Sequence, residues 1–418
     1  MRLIDWFKRL GPGLITGAAD DDPSGIATYS QVGAQFGFTM LWTAWLSYPF
    51  MVTTQLMSAR IGRVTGHGIA FSLKQYYPPW LLYGLVTLLL LANVINLAAD
   101  LGAMGQALQL LIGGPSHLYV LLFGGLCAGL QVFLPYPRYV PFLKWLTLAL
   151  FAYVATVFMV DVPWAEVARR TLIPTIKLDR DFLVGLTAVL GTTISPYLFF
   201  WQASHEAEEQ RAAPGELPLR RAPAQAPRQL AQSSADTYAG MALSNAVAYF
   251  IILAAAVTLH AHGIKDIQTS AQAAEALRPL AGDLAFILFS AGIIGTGLLG
   301  VPVLAGSAAY AVSEAFRWRV GLARSPGAAA RFYSVLSLAT LLGVLLNFLA
   351  FDAIRMLYWS AVINGIAAAP AVAVVVKLAG DKRAMGRFAI GPGLKVLGWA
   401  TAGIMMLCAA CVFWSFRL

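Results

Sequence analysis

Residues 11–28 read GPGLITGAADDDPSGIAT, with three consecutive aspartates inside an otherwise apolar stretch. A carboxylate near the centre of a bilayer costs roughly 2.5–3.5 kcal/mol on insertion scales, so three of them imply a compensating partner. Pro23 has no backbone N–H and Gly25 has a low helix preference, so we expect a membrane-spanning helix to break here.

A helix break at this depth has a chemical consequence. It frees backbone carbonyls and N–H groups, which the membrane interior tolerates only where they line a protein cavity. Carboxylates beside free carbonyls form the oxygen-rich kind of site that hard cations bind. The segment therefore predicts a cation site, and the alternative is a charged loop between two short amphipathic helices.

The composition agrees with a membrane location. Of the 418 residues, 59% are hydrophobic and only 12% are charged, which is typical of a polytopic membrane protein. The net charge of +9 would suggest nucleic-acid binding in a soluble protein, but here we attribute it to cytoplasmic loops. The three cysteines lie in apolar runs and indicate neither a disulfide framework nor a zinc site. Residues 1–9 read as a short amphipathic lead rather than a cleavable signal peptide.

Apolar segments long enough to cross a bilayer recur along the whole chain. They are residues 14–36, 39–58, 81–111, 118–134, 142–160, 182–201, 238–259, 284–316, 332–349, 354–376 and 394–416. We predict an all-α polytopic membrane protein with about eleven transmembrane helices, forming one transporter domain over residues 1–418.

The distribution of basic residues predicts the orientation. With the N-terminus in the cytoplasm, 21 of the 29 lysines and arginines (Arg138 and Lys144 among them) face inside and 8 (Arg417 among them) face outside. An odd number of spans then places the C-terminus outside, in the plasma (inner) membrane. The segment 205–235, rich in Ala, Pro, Gln and Arg, predicts a flexible cytoplasmic linker between the sixth and seventh spans.

A second interruption is predicted in the sixth span, where Gly191 precedes the pair Ser195-Pro196. The first and sixth spans open two successive groups of five. Paired interruptions at corresponding positions of two halves indicate an inverted-repeat transporter that holds its substrate between the breaks.

Other polar residues fall at membrane depth. Asn93, Asn96 and Asp100 are spaced by three and four residues, so they share one helix face. An intramembrane carboxylate is a functional candidate, whereas the two asparagines could equally form interhelical hydrogen bonds. Asn364 in the tenth span is a similar candidate. Residues near the cytoplasmic end of the seventh span, for which a structural role is favoured over a gating role, are Asp236, Ser244 and Asn245.

On these motifs the chain resembles the natural resistance-associated macrophage protein (Nramp) superfamily of divalent-metal transporters. The resemblance covers nearly the whole chain and includes Gly11-Pro-Gly13, Asp22-Pro23, the proline-containing sixth span and the segment 312–319, VSEAFRWR. It implies a LeuT-type inverted repeat of spans 1–5 and 6–10, with broken helices 1 and 6.

The chain departs from the family motifs at defined positions. The first-span motif Asp-Pro-Gly-Asn becomes Asp22-Pro-Ser-Gly25, which keeps the aspartate ligand and loses the asparagine. In the sixth span Ser195 stands where the family has methionine, and Tyr197 and Gln202 stand where it has histidines. The acidic residue of the family's third span is matched by Asp100.

These departures favour a hard cation. A thioether ligand prefers transition metals, and a hydroxyl in its place removes that preference. The smaller side chains also widen the cavity, which suits Mg²⁺, an ion that keeps several of its waters. Gly25 could in addition serve a turn with positive φ at the break. The set resembles the divergent Nramp-related magnesium transporters, which import Mg²⁺ and Mn²⁺ and lack proton coupling.

We therefore expect import of partly hydrated Mg²⁺, and also Mn²⁺, by alternating access without proton coupling. The metal is substrate, and no cofactor, nucleic acid or obligate protein partner is expected besides the lipid bilayer. The candidate metal ligands are Asp22, Gly25, Thr192, Ser195, Asp21, Asp20, Asp100, Asn96 and Asn364, and the replaced proton-pathway positions are Tyr197 and Gln202.

Four alternatives remain at this level. One is proton-coupled Mn²⁺/Fe²⁺ uptake, with Asp22 and Asp100 handling protons. Another is a LeuT-fold carrier of an organic solute or anion, against which the three aspartates argue. An intramembrane metalloenzyme would need a motif such as His-Glu-x-x-His, which the sequence lacks. Flux per molecule would distinguish a passive channel from a carrier.

Overall fold

The computed structural model describes residues 11–134, 147–349 and 352–415, and within these ranges it contains helices and loops but no strand. The helices of eight or more residues are α1 Pro12–Asp20, α2 Pro23–Phe36, α3 Trp42–Thr65, α4 Ile69–Tyr76, α5 Pro79–Ile112, α6 Ser116–Phe133, α7 Phe151–Met159, α8 Trp164–Leu172, α9 Arg180–Thr193, α10 Pro196–Ala212, α11 Ala226–Thr258, α12 Ala285–Ala315, α13 Ala330–Leu346, α14 Ala353–Gly380 and α15 Pro392–Ser415. Shorter helices occur at Ser270–Ala274, Arg278–Ala281 and Lys382–Met385.

Eight helical segments of the described chain are long and apolar enough to cross a membrane. They are Pro79–Ile112, Ser116–Phe133, Arg180–Ala212, Pro223–His262, Ser270–Ala315, Ala330–Leu349, Ala353–Gly380 and Pro392–Ser415. The broken α1/α2 pair and α3 match the first two predicted spans without meeting that criterion, and α7 supplies a shorter apolar helix for the fifth. The count of about eleven spans therefore stays a prediction.

Some predictions fall outside the described residues. These are the amphipathic lead at residues 1–9, the start of the fifth span at residue 142, and the positions of Arg138, Lys144 and Arg417. The side of the membrane on which each terminus lies stays a prediction.

The first break forms where the sequence predicts it. α1 ends at Asp20 and α2 begins at Pro23, which occupies the first helical turn, where a missing N–H costs no hydrogen bond. Asp22 is the N-cap of α2, and its Oδ1 accepts a hydrogen bond from the N–H of Gly25 at 2.9 Å. The aspartate motif thus starts a new helix.

Gly25 is needed for space rather than for an unusual backbone. It has no positive φ, so the expectation of a left-handed turn there was wrong. A Cβ added to Gly25 would lie 3.2 Å from both the carbonyl oxygen of Asp20 and Oγ1 of Thr192, tighter than ordinary contact. The glycine therefore lets the two broken helices approach each other.

The second break lies between α9 and α10. α9 ends at Thr193 and α10 begins at Pro196. The hydroxyl of Ser195 lies 2.8 Å from the carbonyl oxygen of Gly191 and 2.9 Å from that of Thr192, so its proton serves carbonyls released at the end of α9. Both predicted breaks are thus present.

The halves of the first span pack closely on α11. Glycines make backbone contact possible there, because a Cβ at Gly17 would collide with the backbone of Gly240. Asp236 of α11 accepts hydrogen bonds from the backbone N–H groups of Gly13 at 2.7 Å and Leu14 at 3.3 Å. Asp236 therefore holds the start of α1, a structural role.

The predicted linker 205–235 is wrong in its bounds. α10 continues to Ala212 and α11 begins at Ala226, leaving only residues 213–225 as the connector. The connector is bonded to the end of α3, since the N–H of Leu219 donates to the carbonyl of Arg63 at 3.0 Å. Alanine and glutamine suit helices as well as linkers, so composition alone could not place these ends.

Candidate metal centre

Asp22 lies at the centre of the site and has a full set of donors. Its Oδ1 accepts from the Ser24 hydroxyl at 2.6 Å as well as from the N–H of Gly25. Its Oδ2 accepts from the side-chain amide of Asn96 at 3.0 Å and from the hydroxyl of Tyr197 at 3.1 Å. Three spans thus converge on one carboxylate, and an ion that binds Asp22 must share or displace these donors.

Asp20 and Asp21 sit at the end of α1 and face Ser244 of α11. The Ser244 hydroxyl lies 2.6 Å from Oδ2 of Asp20 and 3.2 Å from Oδ1 of Asp21, and it has one proton to donate. Oδ1 of Asp20 is buried without a hydrogen-bond partner. Ser244, for which the sequence favoured a structural role near the cytoplasmic end of the seventh span, is therefore a neighbour of Asp20 and Asp21.

Asp100 and Asn96 approach the same region from α5. A Cβ added to Gly300 of α12 would lie 3.0 Å from Cβ of Asp22 and 3.8 Å from Oδ2 of Asp100, so both side chains flank one point. Both carboxylate oxygens of Asp100 and Oδ1 of Asn96 are buried without a hydrogen-bond partner. Asn93, one turn away, donates to the carbonyl of Leu304 at 3.0 Å and has a packing role.

The sixth and tenth spans supply the remaining candidates. Thr192 lies beside Gly25, as described above. Asn364 of α14 is buried, and neither its amide oxygen nor its amide nitrogen has a hydrogen-bond partner. α14 is held close to α9, because a Cβ at Gly191 would lie 2.7 Å from Cα of Gly365. The hydroxyl of Ser195 donates to backbone carbonyls, and it makes no hydrogen bond to Asp22.

The site is closed to solvent in this conformation. The most exposed of its candidate side chains, Asp21, is 4% accessible, and Asp20 and Asp100 are 0% accessible. In the part of the chain that the structure describes, no three His, Cys, Asp or Glu side chains are arranged to hold a metal ion. Amide, hydroxyl or backbone oxygens, or water, would have to complete a coordination shell.

The two replaced histidine positions have separate roles. Tyr197 reaches Asp22 and also lies 3.0 Å from the carbonyl of Ala19. Gln202, further along α10, accepts from the hydroxyl of Thr16 in α1 and donates to Oε1 of Glu206 at 2.9 Å. Neither side chain titrates near neutral pH, unlike histidine.

An ionic cluster at the end of α3 was not predicted from the sequence. Arg63, whose side chain is 6% exposed, pairs with Glu206 and Glu209 of α10 and with Glu216 of the connector at 3.1 Å. Glu206 also accepts from the Ser233 hydroxyl at 2.7 Å. The cluster ties α3, α10 and α11 together on the side of the site where α1 begins.

Two interrupted spans whose breaks meet around buried carboxylates define a helical membrane carrier of the broken-helix type. Residues 13–415 match the family model described as natural resistance-associated macrophage protein-like, Nramp. The chain belongs to the Nramp family. It is therefore a multi-pass membrane transporter and not an enzyme.

Curated relatives agree with this membership. The chain is 26% identical over 421 residues to the "Divalent metal cation transporter MntH" of Mesorhizobium japonicum, with 96% of this chain and 88% of that protein covered. It is 28% identical to the protein of the same name from Bradyrhizobium diazoefficiens, with 96% and 89% covered.

Solved structures show the fold. The manganese transporter of Eremococcus coleocola superposes with a TM-score of 0.77 at 17% identity, covering 98% of this chain and 87% of that one. MhsT in complex with L-phenylalanine superposes with a TM-score of 0.63 at 12% identity, covering 96% and 98%. The predicted all-α, LeuT-type architecture with broken helices is confirmed.

Proposed function

We propose that this transporter imports divalent metal cations, with Mg²⁺ as the main cargo and Mn²⁺ as a second one, by alternating access and without proton coupling. The metal is cargo rather than a cofactor. The proposed location is the plasma (inner) membrane, with the N-terminus in the cytoplasm.

One observation carries the proposal: a set of buried oxygens around the double break has no hydrogen-bond donor. They are Oδ1 of Asp20, Oδ1 of Asn96, both carboxylate oxygens of Asp100 and Oδ1 of Asn364. A buried polar atom without a partner costs about 1–3 kcal/mol, and more when it is charged. A divalent cation bound beside them would supply the positive partner that these oxygens lack, which an organic anion could not do.

The donor chemistry supports a hard cation. Carboxylate, amide and hydroxyl oxygens suit Mg²⁺ and Mn²⁺, whereas thioether and imidazole ligands suit softer transition metals. The positions where the family resemblance predicts a thioether and an imidazole hold Ser195 and Tyr197. Because no three acidic, His or Cys side chains are grouped to hold an ion within the described ranges, an ion that keeps part of its water shell fits better than one that needs a full protein cage.

The side chains at the two replaced histidine positions support transport without proton coupling. Tyr197 and Gln202 are engaged with Asp22 and Thr16 through neutral groups. A proton carried with the metal would need a group that changes charge near neutral pH. The remaining candidates for that role are the aspartates, so the proposal needs a direct test.

The test is uptake by purified protein in proteoliposomes, with Mg²⁺, Mn²⁺ and Ca²⁺ supplied in parallel and a pH-sensitive dye inside. The proposal predicts saturable Mg²⁺ uptake, weaker Mn²⁺ uptake and no change of lumenal pH. Mn²⁺ uptake that acidifies the lumen, without Mg²⁺ uptake, would instead support a proton-coupled manganese carrier.

A further inference from the structure

A cavity separate from the metal centre lies at the end of the molecule predicted to be cytoplasmic. Its volume is about 510 Å³, within the range of small-molecule sites. It lies between α4, the turn that precedes it and the connector 213–225. The lining residues that matter here are Thr65, His67, Phe71, Tyr76, Arg220 and Arg221.

The charged side chains that line the cavity are positive. Among the residues that the structure describes, two arginines line it and no carboxylate does. The acidic residue of the connector, Glu216, is already paired with Arg63 at 3.1 Å and with Arg228 at 2.8 Å. Glu314 of α12 also approaches this region, but its carboxylate accepts from the backbone N–H groups of Gly68 at 3.1 Å and Phe71 at 3.2 Å. The walls therefore present positive charge that no lining group neutralises, which favours an anionic ligand.

The lining groups are held in place. The guanidinium of Arg220 donates to the hydroxyl of Tyr76 at 2.7 Å and to the carbonyl of Ala384 at 3.2 Å. The imidazole of His67 stacks on Phe71 with ring centroids 3.8 Å apart. Partial burial and the charges of Arg211 and Arg221 lower the pKa of His67, which agrees with a positive local field.

We infer that this cavity binds a phosphate-bearing anion at the cytoplasmic face. Arginine suits that chemistry because its planar fork of N–H groups matches phosphate oxygens. The same chemistry is offered by a soluble phosphate compound and by the headgroup of an anionic lipid. Arg221 is exposed and lines the cavity, and its side chain takes part in none of the bonds described above that hold the cavity walls.

Occupation of the cavity bears on transport through the connector. The N–H groups of Leu219 and Arg220 donate to the carbonyls of Arg63 and Val64 at 3.0 and 3.3 Å. Arg63 in turn pairs with α10. A ligand that joins the connector to α4 would strengthen the contacts at this end of the molecule and slow opening of the carrier. This effect on transport depends on the proposed transport function.

The binding test uses the full-length protein in EDTA, so that it does not depend on metal transport. One arm titrates inorganic pyrophosphate and measures its dissociation constant. The other compares the melting temperature in nanodiscs of phosphatidylglycerol and of phosphatidylcholine. The test variant is Arg221→Glu, which keeps the bonds of Arg220, and the matched control is Arg324→Glu, an exposed arginine outside the cavity lining.

The wild type and the control should bind pyrophosphate at least tenfold more tightly than Arg221→Glu, or should gain stability from phosphatidylglycerol that Arg221→Glu does not gain. The first result identifies a soluble ligand and the second a lipid headgroup. Equal behaviour of Arg221→Glu and the wild type in both arms would overturn the inference, whatever the outcome of the metal uptake experiments.

Discussion

The phenolic hydroxyl of Tyr197 lies 3.1 Å from Oδ2 of Asp22 and 3.0 Å from the carbonyl oxygen of Ala19. One side chain at the start of α10 therefore contacts both sides of the break between α1 and α2. Movement of either broken span must change this contact, so the tyrosine couples the two breaks without carrying a charge.

Removal of that hydroxyl tests the coupling. Tyr197→Phe loses a hydrogen bond to a carboxylate, a kind of bond that typically contributes about 1.5–3 kcal/mol, and we expect metal uptake to fall several-fold while the protein stays folded. Tyr119→Phe is the matched control, because its hydroxyl bonds to the carbonyl of Gly113 at 2.7 Å, away from the site. Uptake equal to that of the wild type in Tyr197→Phe would show that the bond plays no part in transport.

We expect the Asp100 carboxylate to lower the stability of the metal-free protein and to be needed for metal binding. Its two buried oxygens make no hydrogen bond of normal geometry and have only the backbone N–H of Ser24 as a neighbouring donor, so Asp100→Asn removes a poorly compensated charge and should keep or raise the melting temperature in EDTA. The same change should raise the Mg²⁺ concentration for half-maximal uptake at least tenfold. The comparison is Asp283→Asn, an exposed position just before the start of α12. A less stable Asp100→Asn protein with normal uptake would refute this assignment.

Selectivity is tested by the double variant Ser195→Met/Gly25→Asn, which returns a thioether and an amide to the breaks. It should transport Mg²⁺ more weakly and be inhibited more strongly by Mn²⁺ or Cd²⁺, because a soft ligand favours those ions. The Gly25 change is sterically tight, with two oxygens 3.2 Å from an added Cβ, so a melting curve must accompany the flux. A stable double variant with unchanged preference would remove these positions from the account of selectivity.

The ionic cluster at Arg63 makes a prediction about stability. Arg63→Met leaves the buried carboxylate of Glu206 without its cation, and breaking such a pair typically costs about 3–5 kcal/mol. Arg63→Met/Glu206→Met removes both charges and should recover part of the lost melting temperature. Equal melting temperatures for Arg63→Met and the wild type would mean that the ionic cluster does not stabilise the packing of α3, α10 and α11.

Local chemistry accounts for what the sequence could predict. Pro23 and Pro196 mark both breaks, because each stands in the first turn of a new helix, where its missing N–H costs no hydrogen bond. Proline alone is not sufficient as a signal, since Pro49, Pro302 and Pro370 lie inside continuous helices. The spacing of Asn96 and Asp100 correctly placed them on one face of α5, and the structure brings both towards Asp22. These signals lie within a few residues of one another.

Long-range partners account for what the sequence missed. Arg63 and its three glutamates are separated by more than 140 residues, so no spacing rule joins them. Ser244 likewise reaches Asp20 across 224 residues. The sequence likewise could not show what surrounds Gly25, since Thr192 comes close to it only in the folded chain.

The most direct test of the account is Mg²⁺ uptake by wild-type and Asp22→Ala protein reconstituted at equal density, with lumenal pH recorded. Asp22→Ala loses the N-cap of α2, worth about 1 kcal/mol, so Asp22→Asn, which can retain the cap, accompanies it. We predict Mg²⁺ uptake without acidification by the wild type, and uptake at the level of empty liposomes by both variants, each still folded by its melting curve. Wild-type uptake rates in a folded Asp22→Ala protein would contradict the metal centre proposed here.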